Sequence, residues 1–188
     1  KGIAKISGGK VTAISAAEGI PDEQANALAL APDGTLWIGA SGGLISYRNG
    51  QWVYYDADAP ANLKDIRELE IGADGKIWVA TYPWSAGRLC QFDAEEAVCV
   101  VDITESNDQG INALALTENG SPVFGTPLGV SLVENGQVKD FRTDDPLASN
   151  YVDSFALAQD GKLWIGTDGG IHLIDPTDPG SPWQTFKQ

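Results

Sequence analysis

The chain has 188 residues, 43% of them hydrophobic and 22 of them glycine, enough to bury a substantial core made of short strands and tight turns. Its formal net charge of −14 and pI of about 4.2 argue against nucleic acid or an anionic membrane as partner, because phosphates would be repelled rather than neutralised. No apolar run approaches the roughly 20 residues a helix needs to span a bilayer, so membrane contact by this segment is not expected.

In chain order, residues 2–15 read as a lone hairpin of two short strands. Four similar units follow, each with four apolar or alternating runs. The first unit has runs at 26–31, 36–40, 44–48 and 52–55, and the second at 67–72, 77–81, 89–92 and 98–103. The third has 112–117, 123–126, 130–134 and 138–141, and the fourth 153–158, 163–167, 171–175 and 183–186. The runs are short, rich in Ile, Val, Leu, Trp and Tyr, and bounded by Gly, Asp, Asn and Pro, which is strand composition. None carries a sustained 3.6-residue period, so helix is minor.

The first two runs of each unit are joined by one recurring motif. Its copies are Asp33-Gly34-Thr35-Leu36-Trp37-Ile38-Gly39, Asp74-Gly75-Lys76-Ile77-Trp78-Val79-Ala80, Asn119-Gly120-Ser121-Pro122-Val123-Phe124-Gly125 and Asp160-Gly161-Lys162-Leu163-Trp164-Ile165-Gly166. Successive turn glycines are 41, 45 and 41 residues apart. Asn49-Gly50 and Asn135-Gly136 mark further hairpins between third and fourth runs. Four-stranded antiparallel sheets repeating at this period are propeller blades. The fold class is therefore all-β: a β-propeller of four-stranded antiparallel blades. Blades are expected at 25–65, 66–110, 111–150 and 151–188, with an outer half-blade at 1–24. Four blades and an unmatched half read as a segment of a larger ring, with apolar blade faces open to self-association.

Cys90 and Cys99 flank a polar turn in the second unit and fall opposite each other if the turn centres on Ala94 and Glu95. Opposed residues of a non-hydrogen-bonded antiparallel pair have Cα atoms about 4.5 to 5.5 Å apart, within disulfide range. The alternative is two reduced, buried thiols. A disulfide would place the chain outside the cytoplasm.

The fourth copy, extended as Asp160-Gly161-Lys162-Leu163-Trp164-Ile165-Gly166-Thr167-Asp168-Gly169-Gly170-Ile171, resembles the two-component regulator propeller repeat. The first copy is nearly as close. The second departs at Ala80 and in an insertion at 82–86, and the third lacks the Trp. The resemblance implies the extracytoplasmic sensing part of a bacterial membrane receptor, often tied to a histidine kinase and often responding to carbohydrate. The same repeat also occurs in free-standing secreted or periplasmic proteins.

Function in such folds is expected where loops converge on one end of the channel. Tyr82 and Trp84, in the inserted loop of the second unit, are candidates for stacking on a sugar or anchoring a partner; alternatively the loop is a lid on its own blade. Asn26, Arg67, Asn112 and Asp153 share one repeat position at the start of the innermost strand and are expected to ring the channel mouth, with Asp168 at the same end. They could bind a polar ligand or hold water. Glu68 and Glu70 stand where other units have alanine (Ala27, Ala29, Ala113, Ala115). They could bind a cation or serve as acid and base, although for Glu68 an ion pair with a neighbouring blade is the commoner role. The single histidine, His172, lies within a strand, where core or surface placement is expected over catalysis. No phosphate-cradling loop or histidine cluster occurs, so no metal and no cofactor is expected. The expected function is non-catalytic recognition of a small polar ligand or a protein on the loop face. The alternatives are a propeller lyase or hydrolase acting on polysaccharide or cyclic peptide, and a structural module assembling through exposed blade faces.

Overall fold

Each Asp-Gly or Asn-Gly turn folds for the same local reason. The side-chain oxygen of the first residue accepts the backbone N–H two residues on: Thr35 N–H to Asp33 Oδ1 at 2.9 Å, Lys76 N–H to Asp74 Oδ1 at 3.1 Å, Ser121 N–H to Asn119 Oδ1 at 3.2 Å and Lys162 N–H to Asp160 Oδ1 at 3.3 Å. The Asn49-Gly50 and Asn135-Gly136 turns have both central residues at positive φ (51° and 83°, 52° and 74°), the type I′ geometry that matches strand twist.

In a computed structural model of the chain, residues 3–14, 20, 24–56, 63–81, 87–93, 96–102, 110–141, 151–178 and 184–186 are described. Strands β1 (Ile3–Ser7) and β2 (Lys10–Ile14) form a two-stranded hairpin. Blade I comprises β3 (Ala25–Leu30), β4 (Leu36–Ala40), β5 (Gly43–Arg48) and β6 (Gln51–Asp56). Blade II comprises β7 (Ile66–Ile71), β8 (Ile77–Thr81), β9 (Arg88–Asp93) and β10 (Glu96–Asp102). Blade III comprises β11 (Ala113–Leu116), β12 (Pro122–Thr126), β13 (Gly129–Glu134) and β14 (Gln137–Phe141). Blade IV comprises β15 (Val152–Leu157), β16 (Leu163–Thr167), β17 (Gly170–Ile174) and β18 (Gln184–Phe186). All pairings are antiparallel between chain neighbours, and no helix occurs among the described residues.

The core lies between blades, since a single sheet has no partner for its apolar faces. The face of blade I bearing Trp37 and Leu44 packs on Ile66, Leu69, Val79, Cys90 and Phe92 of blade II. Trp37 meets the edge of Phe92 with ring centroids 5.7 Å apart. Trp78, Ala80 and Leu89 of blade II pack in turn on Ile111, Leu114 and Phe124 of blade III. Ala113, Val123 and Val130 of blade III do the same against Val152, Leu163 and Ile165 of blade IV. The equivalent face of blade IV has no next blade among the described residues. Trp164 there is 37% exposed, against 8% for Trp78, and it stacks on Phe186 at 5.5 Å. At the other end, Ile3 of the hairpin packs on Ile38 and Ile45 of blade I.

Cys90 and Cys99 pair directly across β9 and β10 and form a disulfide, with Cα atoms 3.8 Å apart. That is closer than the separation expected of two opposed strand residues. The ladder slips by one residue immediately after Cys99.

Candidate functional site

The innermost strands β3, β7 and β15 each carry an irregularity at the same place. The register slips between Ala25 and Ala27, between Ile66 and Glu68, and between Val152 and Ser154. The extra residues are Asn26, Arg67 and Asp153. A bulge leaves its extra residue out of the ladder and re-aims its side chain. Just before two of these bulges sits a fully buried residue of the inter-blade core, Ile66 or Val152; Ile111 holds the same place ahead of Asn112, and Ala25 ahead of Asn26 is partly buried. One residue thus anchors the strand and the next is turned out into the channel.

The outcome is a cavity of about 610 Å³ at the mouth, lined by Gln24, Ala25, Asn26, Arg67, Glu68, Ile111, Asn112, Tyr151 and Asp153. All four members of the repeat position named from sequence line it. Asp168 does not, although its N–H donates to the carbonyl of Tyr151 at 3.3 Å. Tyr82 and Trp84 lie outside the described residues. Gln24 and Tyr151 were not singled out by the sequence argument. They share a repeat position two residues ahead of Asn26 and Asp153, so the repeat alignment already carried the signal.

Two of the ring residues also hold blades together. Asn26 Nδ2 donates to the Ile66 carbonyl at 2.9 Å, and Asn112 Nδ2 donates to the Val152 carbonyl at 3.1 Å, each reaching the following blade. Polar groups at the mouth therefore divide into amides that clasp seams and the charged pair Arg67 and Asp153, which sit where blades II and IV have no asparagine to offer.

Glu68 adds a carboxyl to the cavity wall. Burial raises its pKa to about 7, with the charge of Glu70 a secondary cause; burial likewise raises Glu70. Among the described residues, no ion pair with a neighbouring blade is formed by Glu68. Glu68 and Glu70 lie opposite Ala80 and Trp78 on the face turned to blade III, to which β11 presents Leu114 and Leu116. Without a cation to compensate, the charged form of each carboxyl is disfavoured. His172 lies far from this chemistry. It is fully buried in β17, with Nδ1 3.1 Å from Thr185 Oγ1 and Nε2 3.5 Å from Thr167 Oγ1. No group of metal-ligating side chains occurs among the described residues.

The model of the two component regulator propeller family matches residues 146–169, and the chain carries that repeat. No curated protein matches the chain. Among solved structures, the extracellular domain of a protein described as a hybrid two component system from B. thetaiotaomicron aligns over 88% of this chain and 22% of its own, at 23% identity and a TM-score of 0.71. Streptogramin B lyase aligns over 90% of this chain and 56% of its own, at 17% identity and a TM-score of 0.73. PorZ, a bacterial surface component of the type-IX secretion system of Porphyromonas gingivalis, aligns over 92% and 29%, at 16% identity and a TM-score of 0.64. These similarities establish the propeller fold. The chain spans about a fifth to a little over half of those proteins.

Proposed function

We propose that this chain is the recognition part of an extracytoplasmic sensor propeller and that it binds a small polar ligand in the cavity at its channel mouth. The observation that carries this is the convergence of Asn26, Arg67, Asn112 and Asp153, three of them at strand bulges, on one space of about 610 Å³. Arg67 supplies planar donors, Asp153 an acceptor, and Tyr151 an aromatic edge, a set suited to hydroxyl-rich or zwitterionic molecules. The Cys90–Cys99 disulfide fits an oxidising compartment, and the likeness to an extracellular sensor domain supports the same setting. Calorimetric titration with a panel of neutral mono- and disaccharides and free amino acids tests this. A ligand whose affinity drops at least about tenfold in both Arg67→Ala and Asp153→Ala supports the cavity. Binding that both variants leave intact removes the cavity from the function.

A lyase or hydrolase is the alternative that one observation favours: Glu68, in the cavity wall, has a pKa of about 7, suited to a general acid or base. The lyase among the structural neighbours shares the fold only. His172 is buried away from the cavity and cannot be its imidazole. Turnover lost in Glu68→Gln with binding retained would turn the assignment from recognition to catalysis.

A further inference from the structure

Three seams join the four blades, and two of them are built alike. Between blades I and II, an added Cβ on Gly39 would lie 2.3 Å from Ile66 Cγ2, so glycine is what lets β4 approach the next blade. Between blades III and IV, a Cβ on Gly125 would lie 2.3 Å from Val152 Cγ1. Each of these seams has an asparagine clasp, Asn26 to Ile66 and Asn112 to Val152. Each has alanines on the innermost strand facing the next blade: Ala27 and Ala29 opposite Gly39 and Trp37, and Ala113 and Ala115 opposite Gly125 and Val123.

The seam between blades II and III departs at all of these positions together. Ala80 replaces the glycine, Arg67 replaces the asparagine, and Glu68 and Glu70 replace the alanines. The consequence is visible in the backbone. β3 runs close to β7, and β11 close to β15, whereas β7 and β11 approach each other less. The seam is still anchored farther out by Trp78, Leu89, Leu114 and Phe124, and at the loop end by the near contact of Gly87 with Gly110. The two carboxyls thus face apolar side chains on the channel side of this seam.

We infer that this seam is a proton-operated hinge: ionised Glu68 and Glu70 hold β7 and β11 apart, and protonation lets the two strands draw together and narrow the mouth of the channel. The charged surroundings are few. β11 (ALAL) and β8 (IWVAT) bring no titratable group to the pair, and neither do β3 (ANALAL) and β4 (LWIGA) on the far side of β7. Among the described residues, Arg67 on the same strand and Asp153 across the cavity are the other charges lining the mouth. Water that solvates the ionised carboxyls has to occupy the gap, because no protein donor faces them from β11. Neutral carboxyls lose that demand and also their mutual repulsion. Burial raises the pKa of both groups, that of Glu68 to about 7, so a modest acidification from neutrality begins the change.

The hinge needs no ligand and stands or falls apart from the recognition function. Hydrogen exchange on the whole chain at pH 5 and pH 8, corrected for intrinsic exchange rates, tests it. Amides of β7 and β11 should be protected about tenfold more at pH 5, while β3 and β15 change little. In Glu68→Ala/Glu70→Ala, which installs the alanines of the other seams, protection of β11 should be equal at both pH values. Glu68→Gln/Glu70→Gln should show the pH 5 behaviour throughout. Protection of β7 and β11 that is pH-independent in the unaltered chain overturns the hinge, and so does a pH response that survives either double substitution. If neither variant folds, the contrast between β11 and the control strands β3 and β15 in the unaltered chain still decides.

Discussion

Gly39→Ala probes how tightly the regular seams are fitted. The new Cβ would lie 2.3 Å from Ile66 Cγ2, 3.1 Å from Ile66 Cβ and 3.4 Å from Ala27 Cβ. Ordinary carbon contacts sit at about 3.5 to 4.0 Å, so Ile66 must retreat by more than about 1 Å. It has nowhere to go, being fully buried among Leu44, Leu69 and Val79. Overpacking of this kind costs about 1 to 3 kcal/mol, and the short distance to a β-branched side chain argues for the upper part, about 2 to 3 kcal/mol. For a chain of this length that corresponds to a fall in Tm of roughly 4 to 12 °C. Urea denaturation followed by far-UV circular dichroism would read the loss as a lower midpoint with an unchanged slope. Ile66→Ala removes the obstructing methyl groups, so the double variant should be more stable than the sum of the two single effects allows. A Gly39→Ala chain within about 0.5 kcal/mol of the parent would refute the close approach of the two blades.

Other expectations follow from the same structure. Substituting both Cys90 and Cys99 by alanine should cost about 2 to 3 kcal/mol through the entropy of a short loop in the unfolded chain, and non-reducing intact mass should show a loss of two hydrogens in the parent. Trp78→Ala should cost about 3 to 5 kcal/mol, whereas Trp164→Ala at the same repeat position should cost less than half as much, because its face is open. Equal losses would mean that the Trp164 face is covered. Glu68 gains protons on folding, so its stabilising contribution is complete below its ordinary pKa of 4.5 and is lost as pH rises through about 7. That interval corresponds to at most about 3 kcal/mol, which screening of a half-exposed carboxyl reduces to about 1 to 2 kcal/mol. The parent should therefore melt higher at pH 5 than at pH 8, and Glu68→Gln should remove most of that difference. Asp33, held below its ordinary pKa by the Thr35 amide and hydroxyl, acts in the opposite sense, in still more acid solution.

The blades were legible because their determinants are local. Asp33, Asp74, Asn119 and Asp160 each close a turn within two residues, and strand alternation follows from the turn. The repeat position of Asn26, Arg67, Asn112 and Asp153 was also legible as a ring, because strands of equal register place equal positions together. What sequence did not disclose is the bulge that turns Asn26, Arg67 and Asp153 into the channel. In β7 and β15 its setting is tertiary: the preceding Ile66 or Val152 packs against a glycine on the neighbouring blade. For the same reason the amides of Asn26 and Asn112 could not be recognised as clasps, since each partner is a backbone carbonyl 40 residues away. The ion pair expected of Glu68 failed because composition gives no account of what the next blade presents, and β11 presents Leu114 and Leu116.

Departures from a repeat carry most weight when they coincide in space. Arg67, Glu68, Glu70 and Ala80 are scattered over 14 residues of sequence, yet all four meet at one seam. Independent drift would be expected to loosen different seams at different points, because the two regular seams show how narrow the tolerance is: a methyl group on Gly39 or Gly125 already collides. At the second seam the methyl group is present, Arg67 stands in place of the asparagine and two carboxyls occupy the positions of alanine side chains. These changes are mutually permissive, since a seam held open by Glu68 no longer needs glycine at residue 80, and an asparagine at residue 67 would have a more distant carbonyl to reach. The freed position holds Arg67 and points it into the cavity. The open seam and the charge at the mouth are thus two results of one structural change, and restoring only part of it should be costly. Ala80→Gly alone would add backbone freedom without closing a gap that Glu68 and Glu70 still occupy, so it should destabilise the chain by about 0.5 to 1 kcal/mol. A stabilising Ala80→Gly, measured by the same urea denaturation, would show that the methyl group and not the carboxyls sets the width of the seam.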